Sequence, residues 1–297
     1  DVSLIPVHVN PTNRTGNVNA NNLEGFVEYL RRIHPVPEQL NASVHAVYNT
    51  DADPDSASGY GPNWNKLLSE INALQRAEAH KGQHYYGVIN GNSGGTGLGY
   101  IGGFAAIGID WSTVMSNNPY GLTWRSGTFA HEVGHNFGLP HTPCGNPAGV
   151  DPNYPYAGAI IGALGYDSWS AVAHPRKDTD VMAYCGYQWT SDYDYKKALT
   201  WRLANDGHGV AAGNSLLASG ASEGDMLMVW GHSENGRLIL EPALRVTGQP
   251  TPESPSGDVT IQTVDASGVV VAHHFQTTPL DHSDEKVFSF LIPLDKP

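Results

Sequence analysis

The sequence predicts an α+β protein in two parts, a mixed sheet-and-helix half over 1–205 and a small all-β half over 206–297. Three observations carry that expectation. Over the first hundred residues, apolar side chains follow the order strand, helix, strand, helix, strand, the pattern of a layered sheet-and-helix structure. A helix-like stretch near 192–204 closes this half. Beyond Gly207 only strand-like runs and hairpin-turn dipeptides remain.

The opening run Ser3–Val9 alternates as a strand does. Residues 21–33 read as a helix with Leu23, Phe26, Val27 and Leu30 on one face, stopped by Pro35 and Pro37. Ser43–Tyr48 reads as a second strand. A long helix is expected from Trp64 to about His80, capped by Asn63 and ended by Gly82, with Leu67, Leu68, Ile71, Leu74 and Ala77 as its core stripe. His84–Ile89 is a third strand. The glycine-rich run 91–99 lacks a GK[ST] ending and opens no helix, so it reads as a flexible turn rather than a phosphate loop. Tyr100–Ile109 reads as a strand rich in Gly and Ala. After a loop-rich stretch over 143–179, Asp192–Ala204 reads as a helix capped by Ser191. In the second half, Met226–Trp230, Arg237–Val246, Asp258–Val264, Val269–Phe275 and Val287–Ile292 read as strands. Asn235-Gly236 and Ser267-Gly268 are the turn signals between them. A domain boundary near 205–213 and a β-sandwich after it are the expectation.

Composition narrows the function. The 297 residues carry a net charge of −13, with 40% hydrophobic and 15% charged side chains. No run approaches the ~20 apolar residues of a membrane-spanning helix. The pI near 5.4 and the lack of a Lys/Arg cluster leave no basic face for phosphates, which argues against nucleic acid as the main partner. The chain starts at Asp1 without a basic–apolar leader, so removal of a signal or pro-segment is expected.

The chemistry concentrates in His131-Glu132-Val133-Gly134-His135-Asn136-Phe137-Gly138-Leu139-Pro140-His141. On a helix, His131 and His135 stand one turn apart on one face, so both imidazoles reach one metal ion. Glu132 lies a residue further round, beside the ion rather than on it. Gly138 ends the helix in a sharp turn that brings His141 back as the third ligand. Three histidines and one open position are the donor set of a catalytic zinc, whereas a structural zinc is closed by a fourth protein ligand. From composition alone the five fixed residues would occur by chance with a probability on the order of 10⁻⁴.

This segment resembles the HExxHxxGxxH zinc signature of the metzincin metallopeptidases. Val181-Met182-Ala183-Tyr184-Cys185, about forty residues after the third histidine, is similar to that clan's Met-turn. Thr142-Pro143-Cys144 follows His141 where several groups of the clan carry an acidic residue, so the resemblance holds at the level of the clan. It implies a twisted mixed sheet, two long helices, an active-site helix and an irregular lower lobe. It implies one catalytic Zn²⁺ on His131, His135 and His141, and metal-assisted hydrolysis of a peptide bond with Glu132 as general base. Met182 would pack beneath the metal. Tyr184 would ligate it at rest or hydrogen-bond the oxyanion; packing is the alternative for this side chain. The Tyr100–Ile109 strand would be the sheet edge that pairs with extended substrate, through Tyr100, Gly102, Gly103 and Phe104.

With both segments drawn to one zinc, a Cys144–Cys185 disulfide is expected, with cysteine ligation of the metal as the alternative. A disulfide points to a secreted, extracellular protein. Asp178, Asp180, Asp192 and Asp194 are the candidates for a Ca²⁺ site; capping and solvated surface are the other reading. His174 shows no partner in sequence, and His273-His274 alternates faces along a strand and cannot easily chelate one ion. The function expected is a secreted zinc endopeptidase acting on protein or glycoprotein substrates. The alternative is a zinc-bearing adhesion or glycan-binding protein, or a mucin-directed protease recruiting substrate through the β half.

Overall fold

A computed structural model describes residues 1–37, 39–56, 59–79, 82–91, 95–116, 118–186, 188–205, 224–234, 237–248, 250–264, 268–279 and 286–294. The first half runs β1 (Val2–Val9), β2 (Arg14–Thr15), α1 (Glu24–Ile33), β3 (Ala42–Val44), β4 (Tyr48–Thr50), α2 (Pro62–Glu78), β5 (His84–Ile89), β6 (Gly97–Gly99), β7 (Ala105–Ile109), α3 (Trp124–Asn136), β8 (Gly165–Asp167), β9 (Val172–His174) and α4 (Asp192–Asn205). A seven-stranded sheet has the order β2-β1-β5-β7-β6, with β3 and β4 end to end along β1, on Val2–Leu4 and Val7–Val9 respectively. Strands β3, β4, β5 and β7 run parallel to β1, and β2 and β6 run antiparallel. The strand period of two divides the side chains. Leu4, Tyr86, Val88 and Ala106 face α1 and α3, where they meet Phe26, Leu30, Phe129 and Val133. Ile5, Val7, Tyr85, Ile107 and Ile109 face α2, against Trp64, Leu67, Leu68 and Ile71.

Several expectations need correction. The Ser43–Tyr48 strand is two short strands, β3 and β4, both following β1. Helix α2 starts at Pro62 behind Gly61, and Asn63, expected as its cap, donates instead to the Asp53 carbonyl at 3.1 Å. The glycine run is only partly turn: Gly97–Gly99 is strand β6, while Asn92–Gly94 lies outside the described residues. The Tyr100–Ile109 strand is correct only from Ala105. Tyr100, Gly102, Gly103 and Phe104 form the turn that reverses β6 into β7, so the sheet edge is Gly97–Gly99. An unbroken run of Gly and apolar residues hides such a reversal, because its signal is a positive φ at Gly102 (77°) and not a change in polarity.

The second half contains β10 (Gly224–Glu234), β11 (Arg237–Leu240), β12 (Leu244–Gly248), β13 (Val259–Val264), β14 (Val270–Phe275), β15 (Thr278–Pro279) and β16 (Lys286–Pro293). Strand β10 is flanked by β11 and β12 on one side and β16 on the other, all antiparallel to it. One face of this sheet packs on the β13–β14 hairpin, with Phe275 stacked on Phe290 at 4.2 Å. The opposite face packs on the first half: Met226, Met228, Trp230 and Leu291 gather around Ala73 of α2. Among the described residues the expected sandwich is therefore a sheet held between a hairpin and α2. The boundary expected at 205–213 falls almost wholly on residues 206–223, outside the described residues, as do Asn235-Gly236 and Ser267. No helix among the described residues is long and apolar enough to cross a membrane.

Candidate metal centre

Helix α3 is capped by Thr123, whose hydroxyl accepts the Ser126 N–H at 3.4 Å, and every residue from Ser126 to Asn136 is buried. Its end is set by Gly138, at φ 80°, where a Cβ would also stand 3.0 Å from the Trp201 ring. The chain turns back there, and His141 joins His131 and His135. Their ligand atoms lie within 4.8 Å of one another, and all three rings are buried.

Each histidine is oriented by a backbone carbonyl at its Nδ1: Val181 for His131 (2.8 Å), Leu139 for His135 (2.6 Å) and Ala148 for His141 (2.6 Å). A carbonyl only accepts, so each Nδ1 carries the proton and each Nε2 presents a lone pair. The Nε2 atoms of His131 and His135 face each other at 3.1 Å. Two lone pairs cannot satisfy one another at that distance; a shared cation can. The donor set thus fits Zn²⁺, with the carbonyls as the outer partners that fix ring orientation.

The floor of the centre is the Met-turn. Met182 is fully buried, and Gly134 admits it: a Cβ there would lie 2.7 Å from its sulfur. The Thr142 N–H reaches the Met182 carbonyl at 3.0 Å and the Tyr184 N–H reaches the Cys144 carbonyl at 2.9 Å. The Cys144–Cys185 disulfide closes the same pair of segments. The Tyr184 ring stands edge-on to His141, centroids 4.8 Å apart. Behind α3, His34 bonds the Ala130 carbonyl through Nε2 at 3.0 Å, and burial pushes its pKa down to about 4, so it is neutral.

Glu132 is buried on the sheet side of α3, directly under β6. A Cβ on Gly97 would lie 2.4 Å from its Oε1, and one on Gly99 would lie 2.8 Å from its carbonyl oxygen. Glycine is what lets the edge strand cross the carboxylate so closely. Asn136 escaped the sequence reading. Its amide donates to the Tyr100 and Ala105 carbonyls at 3.0 and 2.9 Å, and the Gly102 N–H bonds the His135 carbonyl at 2.8 Å. The β6–β7 turn is thereby clipped to the end of the histidine helix. An Asn beside a metal ligand gives no signal of this in sequence, because its partners are backbone atoms thirty or more residues away.

The four aspartates do not form a cation site. Asp178 takes the Tyr120 hydroxyl and His174 Nδ1, Asp192 takes Tyr156 and Lys196, and Asp180 and Asp194 are buried. Among the described residues the His131–His135–His141 group is the one metal-binding cluster. His174 does have partners: besides Asp178 at 3.1 Å, it stacks on Trp189 at 4.0 Å.

A buried three-histidine centre on one helix and its following turn, with a glutamate beside it, is of the metallopeptidase type. The model of metallo-peptidase family M12, of the reprolysin kind, matches residues 23–174, just over half of the chain. The chain belongs to this family, and it is a metzincin-like zinc peptidase. The match takes in all three histidines and stops short of Met182 and Tyr184. A similar solved structure is archaemetzincin from Archaeoglobus fulgidus complexed with malonate, at 18% identity and a TM-score of 0.27, covering 49% of this chain and 82% of that one. No curated protein matches the sequence.

Proposed function

We propose that the protein is a secreted zinc endopeptidase that cuts within extended protein or glycoprotein chains. The observation that carries this reading is the convergence of three histidine Nε2 atoms beside Glu132, under the free edge of the seven-stranded sheet. Zinc, when bound there, would lower the pKa of a water toward ~7 and polarise the scissile carbonyl. Glu132 would take the proton of the attacking water and pass it to the leaving nitrogen. Tyr184, edge-on to His141, would hydrogen-bond the developing oxyanion.

Edge strand β6 supports main-chain recognition. Leu98 pairs with Ile107, the Ile109 N–H bonds the Thr96 carbonyl and the Tyr100 N–H bonds the Ala105 carbonyl. By antiparallel alternation, Thr96, Leu98 and Tyr100 turn toward β7 while Gly97 and Gly99 turn outward. An extended peptide would pair there, in place of the edge first expected at Tyr100–Phe104. The disulfide supports an oxidising, extracellular location. The half after residue 205 is read as an accessory unit.

Cleavage of a denatured protein, followed by mass spectrometry of the new termini, tests the reading. Internal cuts that cease with o-phenanthroline and return with Zn²⁺ are expected. Terminal trimming alone would refute the endopeptidase, and an inert but zinc-loaded protein would favour a binding role.

A further inference from the structure

Two carboxyls lie buried beneath the Met-turn and take no part in the proposed chemistry. Asp180 is fully buried. Its Oδ1 accepts the Met182 N–H at 2.8 Å and its Oδ2 accepts the Ser191 N–H at 2.7 Å, with the Tyr154 hydroxyl 3.4 Å from the same oxygen. Both oxygens of Asp180 are therefore acceptors. Asp194, in the first turn of α4, is 1% exposed. Its N–H is capped by the Ser191 hydroxyl at 3.1 Å, yet neither carboxyl oxygen meets a donor N–H or hydroxyl among the described residues. The Asp180 carboxyl lies beside it: Ser191 donates its N–H to Asp180 Oδ2 and accepts the Asp194 N–H on its hydroxyl, and the two buried carboxyls interact across that residue.

Two ionised carboxylates cannot share such a site, because their repulsion adds to the cost of taking each from water. A carboxylic acid facing a carboxylate instead forms a short, charge-assisted bond. Asp180 already presents lone pairs to two amides, so the proton belongs on Asp194. We infer that Asp194 is a carboxylic acid in the folded protein and donates to Asp180, one proton tying the first turn of α4 to the Met-turn.

The surroundings agree. Burial first, and then the charge of Asp180, push Asp194 well above the ordinary carboxylate range, and burial pushes Asp180 up too. The groups facing the pair are Tyr29 from α1, Asp151 and Tyr154 from the preceding loop, Ser191, and Tyr193 and Lys197 from α4. Lys197 is committed to Asp151 at 2.6 Å. The shared proton reaches the metal centre through two short steps. Asp180 fixes the Met182 amide, and the Val181 carbonyl of the same turn orients His131. Asp180 and Asp194 are thus positioning residues for the histidine cluster; that part of the inference rests on the proposed peptidase function, while the protonation does not.

The sign of the pH effect follows. A carboxyl whose folded pKa is raised gives stability that is present below its unfolded pKa, near 4, and is lost as pH rises through the folded pKa. The test is urea unfolding of the zinc-loaded protein from pH 4 to 9 for wild type, Asp194→Asn and Asp194→Ala. Asparagine keeps a donor for Asp180 and cannot ionise. Above pH 4 the unfolding equilibrium constant of wild type should rise relative to that of Asp194→Asn by about tenfold per pH unit, one proton's worth, until the pair ionises. Asp194→Asn should keep its fold and its zinc, whereas Asp194→Ala should be less stable at pH 5. Curves for wild type and Asp194→Asn that stay parallel from pH 4 to 9 would overturn the inference, whatever the activity. So would added Ca²⁺ abolishing the wild-type slope, since a cation would then occupy the proton's place. Should Asp194→Asn fail to fold, the infrared band of a protonated carboxyl at pH 7 decides, recorded in a Glu70→Gln background because Glu70 is itself pushed up to about 7 by burial. A band missing there would overturn the inference, and one present there and lost in Asp194→Ala would support it.

Discussion

Gly97→Ala probes the closest approach in the site, that of the edge strand to Glu132. The new methyl would stand 2.4 Å from Glu132 Oε1 and 2.6 Å from both Glu132 Cγ and Thr128 Cγ2. Ordinary carbon contacts need about 3.5–4.0 Å, so roughly 1 Å must be found. Strand β6 is held on β7 at Gly97↔Gly108, and α3 is buried along its length, so neither backbone yields readily. Overpacking of this size costs about 1–3 kcal/mol, a fall in Tm of roughly 2–10 °C at the usual conversion for this chain length. The softest response is a displaced Glu132 carboxylate, and about 1 Å of misplacement at a reacting group costs on the order of 10²-fold in rate. Peptide hydrolysis, Tm and zinc content should be measured together, with Gly91→Ala as control. Its Cβ would meet nothing closer than 3.6 Å, and its effect should be small. A Gly97→Ala protein with full zinc, a lowered Tm and activity within threefold of wild type would refute the placement of Glu132 as the base.

Three further outcomes follow from the same geometry. Tyr184→Phe should lower kcat about 10-fold with little change in KM, as for one oxyanion donor not fixed by the backbone; unchanged kcat leaves Tyr184 a packing residue. Removing the Cys144–Cys185 disulfide, which joins residues 41 apart, should cost up to about 4 kcal/mol in urea unfolding, and no loss would contradict its structural role. His34 stays neutral in the fold down to about pH 4, whereas in the unfolded chain it binds a proton below about 6.5. Stability should therefore fall as pH drops from 6.5 to 4, by about 3 kcal/mol more in wild type than in His34→Gln.

The metal centre was legible because its ligands are chemically rare and their spacing is set by one helix and one turn. The helices were legible for a similar reason: α1 buries Phe26, Val27 and Leu30 at helical spacing, and α4 carries its own Ser191 cap. What escaped the sequence depends on distant backbone. The β6–β7 reversal is fixed by Asn136 and by glycines passing over Glu132, and no local change of polarity marks it. His174 found its partners only when the chain brought Trp189 beside it. Of the aspartates that resembled a calcium site in sequence, Asp178, Asp180 and Asp192 are divided among tyrosines, a lysine, a histidine and backbone amides, and Asp194 is left facing Asp180. Acidic residues close in sequence need not share a centre, because one helix turn or one bend separates their side chains.

Glu132→Gln tests the central claim most directly. The substitution keeps the size of the side chain under β6 and leaves the three histidine ligands untouched, but removes the group that would carry the proton. Zinc bound per chain and the rate of peptide hydrolysis should be measured on the same preparation. Zinc content equal to wild type with turnover reduced by about 10²-fold or more is the result predicted, the usual scale for loss of a general base. Full turnover in zinc-loaded Glu132→Gln would contradict the hydrolytic mechanism itself.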